Sequence, residues 1–301
     1  MRETAVLLRQ GALLVGVLSE PPAFYAGADV PAVILLNAGT VHRVGLNRLH
    51  VRMARDLAAA GFPVVRFDFS GMGDSPSRVD DMPFHTSSVC EVQQVMDYLG
   101  ARNCRRFVLA GLCSGANVAF RTAGRDPRVA ALIGINGTYL EEDEWRTVAE
   151  RVQRRIRGRY YWKHVLDVGK WWRFLRGKSD LRKIAGLVLG PGTALHRRHP
   201  PRGPRNDRPD SWDVLTRRGV DALLVYSEGS ATLDAYSLAV KSRVEKAEPG
   251  RVTVQVIPDC DHACTLRWSQ QALLDLIHTW MVSENRSWKT GDPGTGQVET
   301  H

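Results

Sequence analysis

Short unbroken apolar runs alternate along this chain with longer amphipathic stretches. The start differs: Thr4–Arg9 and Leu13–Leu18 read as a hairpin joined across Gln10-Gly11. Ala32–Leu36 is then an apolar run ending at Asn37-Ala38-Gly39, as in a strand buried on both faces. Arg48–Ala60 places Leu49, Met53, Leu57 and Ala60 on one helical face, and Gly61 stops it. The strand Val64–Phe67, helix Glu91–Leu99, strand Phe107–Ala110, helix Gly115–Arg125 and strand Val129–Ile135 follow. The alternation lapses after Asn136. It resumes with the strand Ala222–Tyr226, a helix near Ala235–Glu245, the strand Val252–Ile257 and a last helix, Ser269–Ser283. Such a pattern predicts an α/β fold: a mostly parallel twisted sheet with helices on both faces.

Charge separates the interrupting segment from the rest. The chain carries +9, but residues 151–220 hold 19 basic against 5 acidic side chains, which leaves the remainder acidic. Residues 1–140 and 221–284 are the expected core, 141–220 a basic helical insertion, and 285–301 a disordered tail without periodicity. The insertion holds Tyr160, Tyr161, Trp162, Trp171, Trp172 and Phe174, then a Pro/Arg loop over 199–204. A length of 301 residues suits one large domain with such an insertion.

Composition excludes several classes. No apolar run approaches the roughly 18 residues of a membrane span, and the first residues lack a signal-peptide apolar region, so a cytoplasmic protein is expected. Five cysteines, an odd number without paired metal spacing, argue against a disulfide framework or zinc site. Cys260 and Cys264, which straddle a histidine, read as small core residues. No metal or cofactor is called for. The basic segment lacks any nucleic-acid motif, so no nucleic-acid partner is expected.

The chemistry concentrates at Gly111-Leu112-Cys113-Ser114-Gly115, between a strand and a helix. A nucleophile elbow needs small residues two before and two after its central residue, because strand and helix approach closely there. Gly111 and Gly115 meet that need around Cys113; centring on Ser114 would put Leu112 in a tight place. The register therefore selects cysteine as nucleophile. The backbone N–H groups of Ser114 and of Gly39, after the first buried strand, are the candidate oxyanion donors.

In chains with this elbow the acid and then the histidine follow the nucleophile. His262, in Pro258-Asp259-Cys260-Asp261-His262-Ala263 after the last strand, is the candidate general base. His278 falls in an apolar helix pattern, and His42, His164, His196 and His199 in loops or the insertion. The acid is open. The turn after Leu223–Tyr226 reads Ser227-Glu228-Gly229-Ser230-Ala231-Thr232-Leu233-Asp234, with Ser230 where an aspartate usually falls. Asp234 or Glu228 could orient His262, or no acid does. A thiol tolerates that loss better than a hydroxyl, being acidic enough to ionise with histidine alone.

Three segments together carry a family likeness: Asn37–Arg48; Arg66-Phe67-Asp68-Phe69-Ser70-Gly71-Met72-Gly73-Asp74-Ser75; and Gly111–Ala116. They resemble a bacterial group of α/β-hydrolase-fold proteins that includes exosortase-associated hydrolases and relatives from secondary-metabolite gene clusters. The elbow is also similar to those of polyhydroxyalkanoate synthases and dienelactone hydrolases. The resemblance covers about 32–136 and, weakly, 222–262. It implies an α/β-hydrolase fold, with the insertion as a helical lid, and acyl chemistry through a covalent intermediate. Asp68 and Asp74 match its strand-end motif as turn and cap residues.

The function expected is an acyl hydrolase or acyltransferase acting on an ester or thioester, a polyketide or other secondary-metabolite intermediate among them, through a Cys113–His262 acyl-enzyme. Two alternatives stand beside it: a lyase that eliminates an acyl group with His262 as base, and a non-catalytic ligand-binding homologue. The insertion's arginines suit an acidic acyl-carrier protein, and its aromatics an apolar acyl chain.

Overall fold

The computed structural model describes residues 1–22, 30–165 and 210–283. Trp171, Trp172, Phe174, the Pro/Arg loop and the tail 285–301 lie outside them. Two compact units divide the chain, one formed by 1–149 with 210–301 and the other by 150–209.

Within the first unit the strands are β1 (Arg2–Leu8), β2 (Leu14–Glu20), β3 (Ala32–Leu36), β4 (Val64–Phe67), β5 (Phe107–Leu112), β6 (Val129–Ile135), β7 (Asp221–Ser227) and β8 (Val252–Ile257). They form one sheet of order β1-β2-β4-β3-β5-β6-β7-β8. β2 runs antiparallel to β1 and β4, and every other pairing is parallel. This is the expected α/β architecture. The hairpin extends the sheet at the β4 edge.

Parity along the strands explains both faces. Val33, Leu35, Val108, Ala110 and Leu112 share a buried cluster with residues of α1 (Leu49–Ala59) and α8 (Arg267–Val282). Gly111, of opposite parity, faces α3 (Ser114–Ala123). On that same face α5 (Ser211–Arg217) buries Trp212, whose ring lies 5.2 Å from Phe120 and whose Nε1–H donates to Tyr139 O at 2.9 Å. Both faces are therefore covered at the centre of the sheet, where β3, β5 and β6 read as unbroken apolar runs.

Two helices depart from the expected boundaries. α2 spans Phe84–Gly100 and so begins before Glu91. Its added N-terminal residues through His85 are exposed and show no apolar period, while Pro83 supplies an extended entry. The helix after β7 is broken into α6 (Ala231–Ala235), a π-helical turn (Tyr236–Val240) and α7 (Lys241–Val244). α4 (Glu142–Val165) starts in the first unit and continues into the second. Among the described residues no helix is long and apolar enough to cross a membrane.

β3 pairs with β4 on one side and β5 on the other, so the strand order reverses there. The loops leaving the ends of β3 and β5 then diverge and open a crevice. Leu36 is in register with Gly111, and Leu112 with Ile135, so Asn37, Cys113 and Asn136 leave the sheet at one level.

Candidate active site

Cys113 sits at the bend between β5 and α3 with φ 56° and ψ −114°. A non-glycine residue held there is strained, and such strain persists only where the surroundings impose it. They do so here. A Cβ on Gly111 would come 2.4 Å from the carbonyl carbon of Gly115, and one on Gly115 would come 2.5 Å from Leu36 O. The backbone N–H of Cys113 donates to Ile135 O at 2.8 Å, which pins the bend to β6. Cys113 itself is half-buried, and Ser114 is the first residue of the helix.

The loop after β3 is organised by Asp68, which is fully buried. Its carboxylate accepts from the Arg43 backbone N–H at 2.5 Å, from the Arg43 guanidinium, from Asp74 N–H at 3.1 Å and from Asn37 Nδ2 at 3.4 Å. Arg43 also reaches Asp74 at 2.6 Å, and Asn37 Nδ2 donates to Val41 O at 2.7 Å. A buried carboxylate costs free energy unless its oxygens are paired, and these bonds pair them while bending the loop back. Gly39, with φ +55°, lies on the resulting turn, and its N–H donates to Ser114 Oγ at 2.6 Å. The two candidate oxyanion residues therefore meet, although their positions are far apart in sequence. The Gly39 donor is engaged by a side-chain hydroxyl.

His262 follows β8 on a turn fastened from behind. Asn136, buried at the end of β6, donates from Nδ2 to His262 O at 2.8 Å and accepts Ser227 N–H at 2.8 Å. The Ser227 hydroxyl donates to Asp261 O at 2.8 Å. Asp261 Oδ1 accepts the N–H groups of Ala263 and Thr265. On the imidazole side, Ser230 Oγ is 3.1 Å from His262 Nδ1. The same oxygen lies 2.8 Å from Thr232 Oγ1 and accepts Thr232 N–H at 3.3 Å, which caps α6. Partial desolvation holds the imidazole below the ordinary histidine range, and the neighbouring Asp261 charge opposes that shift.

The two carboxylates considered for orienting His262 lie on the turn after β7 and in the helix that follows it. Glu228 accepts Asp259 N–H at 3.1 Å, and Asp234 is buried in the first turn of α6. The group on Nδ1 is the Ser230 hydroxyl. Asn136 and Ser230 were both missed as site residues. Asn136 is a lone polar residue at the end of an apolar strand, and Ser230 stands at the acid position of the turn. His278 lies apart, its Nδ1 2.8 Å from Asp56 Oδ2 between α1 and α8.

The description that matches this sequence as a family model, over residues 33–273, is that of the alpha/beta hydrolase family. The chain belongs to it. Solved structures with the same fold include a dienelactone hydrolase from Anabaena variabilis ATCC 29413, with 13% identity over 93% of this chain and 96% of that one and a TM-score of 0.55. A thermophilic esterase from Thermogutta terrifontis shares 17% identity over 93% and 98% of the two chains, with a TM-score of 0.53. A proline iminopeptidase from Mycobacterium smegmatis shares 17% identity over 93% and 97%, with a TM-score of 0.56. No curated protein matches the sequence. At these identities the likeness extends to the fold and leaves substrate open.

Proposed function

We propose that this α/β hydrolase transfers acyl groups from an ester or thioester through a thioester formed on Cys113, to water or to another acceptor. The observation that carries the reading is the conformation of Cys113: an imposed left-handed bend at the head of α3, half-exposed above a sheet whose strand order reverses beside it. A residue kept there for packing alone would have no reason to be strained.

In this mechanism His262 Nε2 takes the Cys113 proton, and the thiolate attacks the carbonyl carbon. The carbonyl oxygen becomes an oxyanion held by the backbone N–H groups of Ser114 and Gly39, with the Ser114 hydroxyl displaced from the latter. Collapse expels the alcohol or thiol, which takes its proton from the imidazolium. Water or an acceptor, deprotonated by His262, then releases the acyl group. Ser230 positions the ring. Its oxygen gives its hydrogen to Thr232 Oγ1 and receives both Thr232 N–H and His262 Nδ1–H, so the lone pair stays on Nε2. Desolvation favours the neutral, basic ring at pH 7.

A narrower version places the enzyme among the exosortase-associated and secondary-metabolite hydrolases, with acyl groups presented on an acidic carrier protein. Its support is the sequence likeness of 37–48, 66–75 and 111–116 and the basic segment 151–220. Intact-mass spectrometry after reaction with an activated acyl thioester tests the chemistry. An acyl adduct that disappears in Cys113→Ala is expected. Undiminished turnover in Cys113→Ala would instead point to elimination with His262 as base, and tight binding with neither adduct nor turnover to a binding protein.

A further inference from the structure

Two thiols bracket His262. Cys260 and Cys264 are both free and buried, at 4% and 0% exposure, and their sulfurs are 3.5 Å apart. The backbone, more than side-chain freedom, holds them together. Cys264 N–H donates to Asp261 O at 3.1 Å, and Asp259 and Cys264 take left-handed φ values of 49° and 50°. Ser227 and Asn136 fasten the carbonyls of Asp261 and His262 from behind. A disulfide bond is about 2.05 Å long, so the sulfurs need to close by only about 1.5 Å, which small χ1 rotations can supply.

We infer that Cys260 and Cys264 are an oxidisable dithiol whose disulfide, formed by hydrogen peroxide, clamps the turn that carries His262. The Cys260 sulfur attacks one peroxide oxygen; an S–O bond forms, the O–O bond breaks, and the departing hydroxide leaves as water with the thiol proton. The Cys264 sulfur then attacks the sulfenyl sulfur; the S–S bond forms, the S–O bond breaks, and a second water leaves. Two thiols have lost two electrons and two protons, and the peroxide has been reduced to two waters. Cys260 is assigned the first step because it keeps the greater exposure, 4% against 0% for Cys264. Closing the 260–264 span draws together the residues two before and two after His262. The ring, held among the described residues by a 3.1 Å hydrogen bond to Ser230, takes up the change.

The inference does not depend on acyl chemistry, and its test uses the full chain carrying Cys113→Ala, so that no thiol at the elbow competes. After hydrogen peroxide and trypsin, the peptide 252–267 contains both cysteines and no others. It is expected to lose two hydrogens and to resist alkylation until dithiothreitol is added, and Cys260→Ser should abolish that behaviour. Exposed Cys90 reports that oxidant was sufficient. Two alkyl groups on the 252–267 peptide, under conditions that oxidise Cys90, would overturn the dithiol. The His262 ring NMR signals should shift on oxidation and return on reduction. Formation of the disulfide with unchanged His262 signals would overturn the coupling to the turn.

Discussion

Ser230 Oγ lies 3.1 Å from His262 Nδ1, so a hydroxyl occupies the place where a carboxylate would orient the ring of a serine-type triad. A hydroxyl fixes the tautomer but adds no negative charge to stabilise an imidazolium. A thiol nucleophile needs that charge less than an alcohol does, because its own ionisation is easier.

Removing this contact should impair catalysis without much effect on binding. Ser230→Ala is expected to lower kcat about tenfold with KM little changed, the worth of one hydrogen bond. It also removes the α6 cap, so stability should fall by about 1 kcal/mol. Ser230→Asp separates the two effects: it still caps α6, yet its charge favours the imidazolium. If His262 is the general base proposed above, the acid limb of the pH–kcat/KM profile should therefore move to higher pH by about one unit, from a starting pKa held below the ordinary value. An unmoved acid limb in Ser230→Asp would show that the hydroxyl does not sense the catalytic ring.

The contrast between elbow and ring partner shows what a sequence can disclose. Gly111 and Gly115 were legible because the close approach of α3 and β3 is a steric demand, and glycine identity satisfies it visibly. Asp68 was legible as a strand-end turn residue, although its four-way pairing with Arg43, Asp74 and Asn37 was not. Ser230 was hidden because serine before a short helix reads as a cap, and it is one; its second bond arises from a turn 32 residues onward. Asn136 was hidden for a similar reason, since its partners are Ser227, at the end of β7, and His262, in the loop after β8, which only the sheet order brings together. The first turns of α2, exposed at Phe84 and His85 and burying the polar Ser87 and Ser88, carry no apolar period and so gave no signal.

Ser114 Oγ holds the N–H of Gly39, and that bond must be exchanged when an oxyanion forms. Ser114→Ala removes the competing acceptor while keeping the Ser114 backbone donor. We expect kcat/KM for a simple activated ester to rise about threefold to tenfold, reflecting one modest hydrogen bond no longer broken on the way to the transition state. A fall of similar size would mean that the hydroxyl rotates to donate to the oxyanion itself. Steady-state kinetics on one substrate decide between them.

Steric pressure at the elbow predicts a contrast between two alanine substitutions. Gly111→Ala would drive a methyl into the Gly115 backbone, where nothing flexible can yield, so a loss of about 3 kcal/mol or more is expected together with activity. Gly100, at the end of α2, has open space around it, and Gly100→Ala should be neutral or stabilise by up to about 1 kcal/mol. Urea unfolding of the two variants beside the wild type checks both signs.

His50 is expected to couple stability to pH. It is buried within α1, its Nδ1 has no partner among the described residues, and desolvation, assisted by the Arg66 charge, lowers its pKa to about 4. The sign follows from proton counts. Above pH 6.5 neither folded nor unfolded chains bind a proton there, and the site is indifferent to pH. Between about 6.5 and 4 the unfolded chain binds the proton and the folded chain does not, so stability falls as pH falls. Below about 4 both are protonated and the loss is complete, at about 3 kcal/mol. Carboxylates also titrate over part of this window, so the comparison must be with a variant that cannot titrate at residue 50. His50→Leu should lose less stability than wild type between pH 7 and pH 4, with the difference approaching that value. Equal losses in the two proteins, measured by urea unfolding at each pH, would show that His50 is protonated in the folded state at little cost.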